Sequence, residues 1–181
     1  MKVLVAYASR SGATEGIAER IASTLAAKQL DVTFRAVGQV DTIGEFDAFV
    51  IGSSAYMGRW EKQAAAFVRS HADILASHPV WLFSSGPIGT ETVDKQGRDV
   101  LETARPKEFD EFAALIRPRD TEVFFGAYDP LRKNATLAER LVMKMPAIAE
   151  AMPAGDFRDW PAIEAWAEKI ARELTPAGVS A

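Results

Sequence analysis

Tyr7-Ala8-Ser9-Arg10-Ser11-Gly12-Ala13-Thr14 stands between a short apolar run and a stretch with helical periodicity, and the fold turns on how it is read. Upstream, Lys2-Val3-Leu4-Val5-Ala6-Tyr7 has the composition of a buried strand. Downstream, Ile17, Ile21 and Leu25 lie four apart and predict a helix from about Thr14 to Gln29 with one apolar face. A helix that begins here presents unpaired backbone N–H groups and the positive end of its dipole, a setting that favours a bound anion. Ser9, Ser11 and Thr14 add hydroxyls, and Gly12 lets the backbone come close to a ligand. The loop reads as a phosphate cradle. In isolation it also reads as a plain helix cap, because hydroxyls before helices serve that purpose as well.

Other phosphate loops fit these residues poorly. The lysine of a Walker loop is missing, and only Gly12 and Gly16 are present where a dinucleotide fingerprint needs three spaced glycines. A phosphorylatable receiver domain wants acidic residues at its strand ends to hold magnesium, whereas Ala8 and Ser53 occupy those positions.

Further along the chain, strand-like runs recur at Val32 to Ala36, Ala48 to Ile51, Val80 to Phe83 and Val123 to Phe125. Helical patterns lie between and after them, around Gln63 to Ala76, Phe109 to Ile116, Leu137 to Met145 and Pro161 to Leu174. Such alternation predicts parallel strands joined by crossover helices. Phe49-Val50-Ile51 is continuously apolar, as suits a strand covered on both faces. In the last helix Asp159 is the expected cap near Pro161, with Ile163, Trp166 and Ile170 facing the core. No repeat or Pro/Gly-rich linker divides the chain, so residues 1–175 are read as one domain and 176–181 as a short tail. Thr90 to Lys107 and Asp129 to Gly155 read as elaborations of the same sheet.

In an open parallel sheet, three loops would meet at the carboxyl edge beside the switch point: residues 9–14, Gly52 to Trp60, and Ser84 to Gly89. Together they offer donors for a phosphate, small residues for a flat ring, and Tyr56 and Trp60 as rings to cover it. Trp60 is equally suited to ordinary packing against the following helix.

Composition narrows the function. With 181 residues, 48% apolar and 25% charged, the chain has the balance of a globular enzyme or carrier. A net charge of −4 provides no basic excess for a phosphate backbone, which argues against nucleic acid as a partner. The absence of cysteine removes disulfides, thiolate zinc sites and cysteine-ligated iron–sulfur clusters, so redox chemistry needs an organic cofactor. No signal-peptide pattern and no run of ~18 apolar residues is present, and the expected location is cytoplasmic, with peripheral membrane contact left open. His71 and His78 have no matching ligand nearby in sequence, and no metal is expected. Leu137, Leu141, Val142 and Met145 form one helical face with Arg140 and Lys144 off it, suited either to a membrane or partner surface or to the core.

Ser9-Arg10-Ser11-Gly12-Ala13-Thr14 resembles the flavodoxin phosphate signature, Thr/Ser-x-Thr/Ser-Gly-x-Thr. The resemblance implies an α/β flavodoxin-like fold, a doubly wound five-stranded parallel sheet in the order 2-1-3-4-5 with helices on both faces, and FMN as cofactor. It implies phosphate contacts from Ser9, Arg10, Ser11, Gly12, Ala13 and Thr14. Ring contacts are implied from Ser53, Ser54, Ala55, Tyr56, Met57, Gly58 and Trp60, and from Ser84, Ser85, Gly86, Pro87 and Gly89.

A narrower similarity extends to the flavodoxin-domain subgroup that includes menaquinone-dependent protoporphyrinogen dehydrogenase. It is carried by Val50-Ile51-Gly52-Ser53-Ser54 with Gly58, by Arg117-Pro118 and Gly126-Ala127, by Leu141-Val142-Met143-Lys144-Met145, and by Asp159-Trp160. The stretch after the fourth strand departs from that subgroup, because Glu91, Asp94, Asp99, Glu102, Glu108, Asp110 and Glu111 make it acidic rather than basic.

The expected function is electron transfer through the flavin, with a redox protein or a quinone as partner. The protein would supply binding and orientation while the flavin carries the electrons; no side chain is assigned as catalytic acid or base. The alternatives are a protoporphyrinogen oxidoreductase using a quinone and, third, a flavin-free interaction domain.

Overall fold

The computed structural model describes residues 1–129 and 154–175. Five parallel strands form the sheet: β1 (Lys2–Ala8), β2 (Asp31–Ala36), β3 (Ala48–Tyr56), β5 (Val80–Ser85) and β6 (Asp120–Phe124). They run in the order β2-β1-β3-β5-β6, with the short β4 (Arg59–Trp60) paired only to β3. Counting parallel strands alone, this is the expected 2-1-3-4-5 order. The chain moves outward from β1 to β2 and then returns to β3 on the other side of β1. Ligands of such sheets bind in the crevice that this reversal opens at the strands' carboxyl ends.

Alternation along each strand builds two cores. Val3 and Val5, Ala48 and Val50, and Trp81 and Phe83 face α1 (Ala13–Ala27) and the C-terminal helix α6 (Trp160–Leu174). Leu4 and Ala6, Phe49 and Ile51, and Val80 and Leu82 face the opposite layer. That layer holds α2 (Lys62–Ser70), α3 (Ala72–Leu75) and α5 (Glu108–Leu115), with the one-turn α4 (Val100–Thr103) nearby. Each fully buried large side chain contributes about 1.5–3 kcal/mol, which explains why the central strands are apolar on both faces. Gly52 belongs to this packing: the Phe83 ring lies across it, and any Cβ there would collide with the ring.

The helices obey local chemistry. Asp159 caps α6 by accepting from Ala162 N–H at 3.0 Å, and Ile163, Trp166 and Ile170 are buried, as the sequence predicts. The single helix expected from Gln63 to Ala76 is instead two, broken at His71. There the Phe67 carbonyl accepts from the Ser70 hydroxyl at 3.1 Å and lies 2.9 Å from the His71 ring, so side chains compete for a backbone acceptor. β6 starts earlier than its apolar residues suggest, because Asp120 is held by Trp166 Nε1 and Lys169 Nζ on α6. Burial alone would raise the Asp120 carboxyl, but those hydrogen bonds win and hold it below the usual carboxylate range.

β7 (Ala127–Tyr128) and β8 (Gly155–Asp156) form a small antiparallel ribbon beyond β6. The helix expected at Leu137 to Met145, including Met143-Lys144-Met145, lies outside the described residues. Among the described residues no helix is long and apolar enough to cross a membrane.

Candidate functional site

The loop from Ser9 to Gly12 leaves β1 at the carboxyl edge and enters α1 through Gly12, whose φ of 89° is left-handed and favours glycine. No side chain caps the helix. The Ser9 hydroxyl instead accepts from Gly12 N–H at 2.9 Å and closes the loop on itself. The first intrahelical bond runs from Gly16 N–H to the Gly12 carbonyl. The N–H groups of Ala13, Thr14 and Glu15 therefore have no acceptor within the helix, and the exposed Ser11 hydroxyl bonds to no described residue. The plain-cap reading has no side chain to perform it, while the donors of the cradle remain available.

Thr14 is different. It is fully buried, and its hydroxyl lies 2.8 Å from that of Ser85, tying α1 to the end of β5. At the base of the loop the Tyr7 phenol donates to Glu15 at 2.6 Å. Burial, then that bond and the charges of Glu15 and Glu19, push the phenol up to about 12.

The second loop is a hairpin rather than the open loop expected after Ile51. β3 continues to Tyr56, and Met57 and Gly58, with φ of 51° and 70°, turn the chain into β4. Two consecutive positive φ values are the mark of a tight primed turn. Tyr56 and Met57 stand exposed at the tip, and Arg10 from the first loop places its guanidinium 5.2 Å from the Tyr56 ring. Trp60 pairs with Ala55 across the hairpin and points the other way. It is 4% exposed and packs edge-on to Phe109 and Phe112. The expectation that Trp60 covers a ligand is corrected accordingly: it is a core residue, and Tyr56 is the exposed ring.

The serines in the carboxyl-terminal parts of β3 and β5 bond within the protein itself. Buried Ser53 accepts from Glu61 N–H at 3.1 Å and donates to the Ser54 carbonyl at 3.0 Å, and the Ser54 hydroxyl turns to Glu61 at 3.4 Å. Ser84 is buried as well, with its hydroxyl 3.5 Å from the Ser53 carbonyl. Gly86 carries backbone to this edge: a Cβ there would sit 3.2 Å from the Ala55 carbonyl. Pro87 accepts from Gly126 N–H at 2.7 Å, so the loop through Gly89 is tied to the chain just beyond β6.

A cleft of about 690 Å³ opens beside the first loop. Ser11, Gly12 and Ala13 form one wall, and Tyr128, Gly155, Asp156 and Arg158 form the other. Sequence reasoning missed Arg158 and Asp156. The available signal was Gly16, a glycine inside a helix with no part in the cradle; a Cβ there would run into Arg158 Nη1.

The family model of a flavodoxin domain matches residues 4–153. No curated protein sequence matches the chain. Among solved structures, oxidised flavodoxin 2 from Bacillus cereus aligns with a TM-score of 0.62 at 21% identity, covering 96% of this chain and 99% of that one. A flavodoxin from the domain Archaea aligns with a TM-score of 0.56 at 19% identity, with the same coverages of 96% and 99%. Rubredoxin oxygen:oxidoreductase from Desulfovibrio gigas aligns with a TM-score of 0.57 at 15% identity over 96% of this chain, which spans only 36% of that longer protein. At these identities the likeness bears on the fold.

Proposed function

The chain belongs to the flavodoxin-domain family, and from that premise we propose that it is an electron carrier, with FMN bound at the carboxyl edge and a redox protein or a quinone as its partner. The observation that carries this reading is the donor set of the first loop. Ser11 Oγ and the N–H groups of Ala13, Thr14 and Glu15 are unengaged within the helix, and the loop lines a cleft of about 690 Å³. These donors fit a terminal phosphate monoester. Ser9 and Gly12 shape the loop, and the exposed Tyr56 with the backbone of Gly86 to Gly89 forms the edge where a flat ring would lie. When bound, FMN supplies the electron-accepting and electron-donating chemistry; the chain's own part is to bind it, orient it and shape access to it.

A second reading, a quinone-coupled protoporphyrinogen oxidoreductase, gains from one observation. The acidic stretch that would repel a carboxylated tetrapyrrole is partly neutralised locally. Asp94 pairs with Arg98, Glu111 with Arg69, and buried Glu108 takes Trp60 N–H and faces Arg59, while Asp99 caps α4. The Asp159-Trp160 pair that suggested this subgroup has structural work instead: Asp159 caps α6, and Trp160 lies beneath Arg20 and Arg158.

Two measurements decide. Titration of apoprotein with FMN, FAD and riboflavin should give one FMN per chain and a clear preference for FMN; equal affinity for riboflavin would remove the phosphate site. Anaerobic mixing of FMN-loaded protein with protoporphyrinogen IX and a menaquinone analogue should show slow porphyrin formation or none. Saturable, FMN-dependent turnover at ~1 per second or faster would replace the carrier with the oxidoreductase.

A further inference from the structure

Arg158 is placed with unusual thoroughness for a residue outside the phosphate loop. Its Nε and Nη2 donate to the two carboxylate oxygens of Asp156 at 2.7 and 2.6 Å, and Nη1 donates to the Ala13 carbonyl at 3.3 Å. The guanidinium lies 4.4 Å from the centre of the Trp160 ring, and the side chain is 17% exposed. Gly16 provides the space that Nη1 occupies against α1. Three of the five guanidinium N–H groups are thus engaged, and two have no described acceptor. The residue lines the same cleft as Ser11, Gly12 and Ala13.

Electrostatics make this placement informative. The first turn of a helix carries a partial positive charge, so a guanidinium beside it is unfavourable unless an anion is close. Among the described residues Asp156 is the anion paired with Arg158, and Arg158 in turn holds the Asp156 carboxyl below its usual range. A phosphate monoester in the cleft would meet the helix end, the loop donors and Arg158 together, with charge-assisted bonds that neutral donors do not match.

We propose that Arg158 is a specificity-determining residue of this cleft, selecting a doubly charged phosphate monoester over its uncharged counterpart, and that Asp156 holds Arg158 in place while damping its charge. This rests on the FMN reading above. The competing role is purely mechanical: Arg158 would latch the β7–β8 ribbon to α1, and Asp156 would be half of the latch.

The two roles differ in sign. Apoproteins of the wild type, Arg158→Gln, Arg158→Lys and Asp156→Asn are titrated with FMN and with riboflavin, and the ratio of the two dissociation constants is compared. Arg158→Gln should reduce the preference for FMN roughly tenfold, in line with loss of a charged hydrogen bond, with riboflavin affinity within about twofold of wild type. Arg158→Lys, which keeps the charge without the fork, should fall between, and it gives the comparison if Arg158→Gln does not fold. Asp156→Asn should raise the preference for FMN while lowering the melting temperature of the apoprotein.

A latch predicts that all variants weaken both flavins together, or that Asp156→Asn and Arg158→Gln move the ratio in the same direction; either result overturns the proposal. So does an unchanged ratio in a wild-type protein that itself prefers FMN. A wild type indifferent to the phosphate would instead fail the FMN reading on which the proposal stands.

Discussion

Two serine-rich loops meet at the carboxyl edge of this sheet, and they use their hydroxyls in opposite ways. In the loop after β1, Ser9 shapes the turn and Ser11 bonds to no described residue, while three helix N–H groups lack acceptors within the helix. In the second, formed by the end of β3 and its turn into β4, the Ser53 hydroxyl accepts from Glu61 N–H and donates to the Ser54 carbonyl, while the Ser54 hydroxyl turns to Glu61. The difference lies in the element that each loop enters. The first runs into a helix with no side-chain cap, and Ser11, Gly12 and Ala13 line the cleft. The second runs into a hairpin whose return strand must be fastened to the start of α2, and the serines fasten it. Hydroxyl content alone does not mark a binding loop; the backbone groups left over at its end do.

The largest expected effect lies beneath the second loop. Gly52→Val drives a branched side chain into the Phe83 ring, and it should cost about 3 kcal/mol or more, at the top of the range for overpacked cores. Urea unfolding of the apoprotein measures this. A loss below about 1 kcal/mol would mean that the ring swings aside and that the floor of the second loop is softer than its packing implies.

Next comes the direct contrast between the loops. Ser11→Ala should weaken FMN by roughly tenfold to a hundredfold, as a hydrogen bond to a charged group is worth about 1.5–3 kcal/mol, and leave riboflavin and apoprotein stability nearly unchanged. Ser53→Ala should do the reverse: about 1 kcal/mol of stability lost with the Glu61 N–H bond, and an unchanged FMN-to-riboflavin ratio. Parallel titrations and melts of the two variants would erase the contrast if both moved the same quantity.

Thr14 tests the boundary between the two behaviours. It belongs to the first loop by sequence and to the core by burial, with its hydroxyl on Ser85. Thr14→Val keeps its volume and leaves Ser85 without that partner, for an expected cost of about 1–2 kcal/mol. The FMN preference should change by less than about threefold, well short of Ser11→Ala; an equal change would make Thr14 a ligand-facing donor.

These contrasts mark where the sequence is legible. Strands β1, β3 and β5 and helices α1 and α6 declare themselves through apolar runs, four-residue spacing and the Asp159 cap, because burial on both faces and capping are local in pattern. β6 hides its first half, since Asp120 is satisfied by Trp166 and Lys169 from a helix far along the chain. Trp60 could not be assigned a direction from composition, because the turn at Met57 and Gly58 decides which face it takes. Arg158 reaches α1 from a distant part of the chain, and only Gly16 hinted that something approaches there. The turn from β1 into α1 is readable because its geometry is contained in six consecutive residues and one helix start.

The smallest expected effect concerns how the first loop is held. Tyr7 at the end of β1 donates to Glu15 in the first turn of α1, and so bridges the two ends of the loop. With burial, this bond pushes the phenol up to about 12, against an ordinary value near 10. The folded state therefore favours the neutral phenol. Its contribution is fully present below pH about 10 and is lost as pH rises through about 12. Tyr7→Phe removes the bond and the titration together, so the gap in unfolding free energy between wild type and Tyr7→Phe should be flat from pH about 8 to about 10 and narrow above it. The corresponding gap for Ser53→Ala should stay flat throughout, because the bond from Glu61 N–H to the Ser53 hydroxyl does not titrate in this range. Urea unfolding of the three apoproteins at several alkaline pH values gives both curves, free of any contribution from bound flavin. A Tyr7→Phe gap that does not narrow would show that the bond from Tyr7 to Glu15 does not hold the loop after β1, leaving the Ser9 hydroxyl to close it as the serines fasten the second loop.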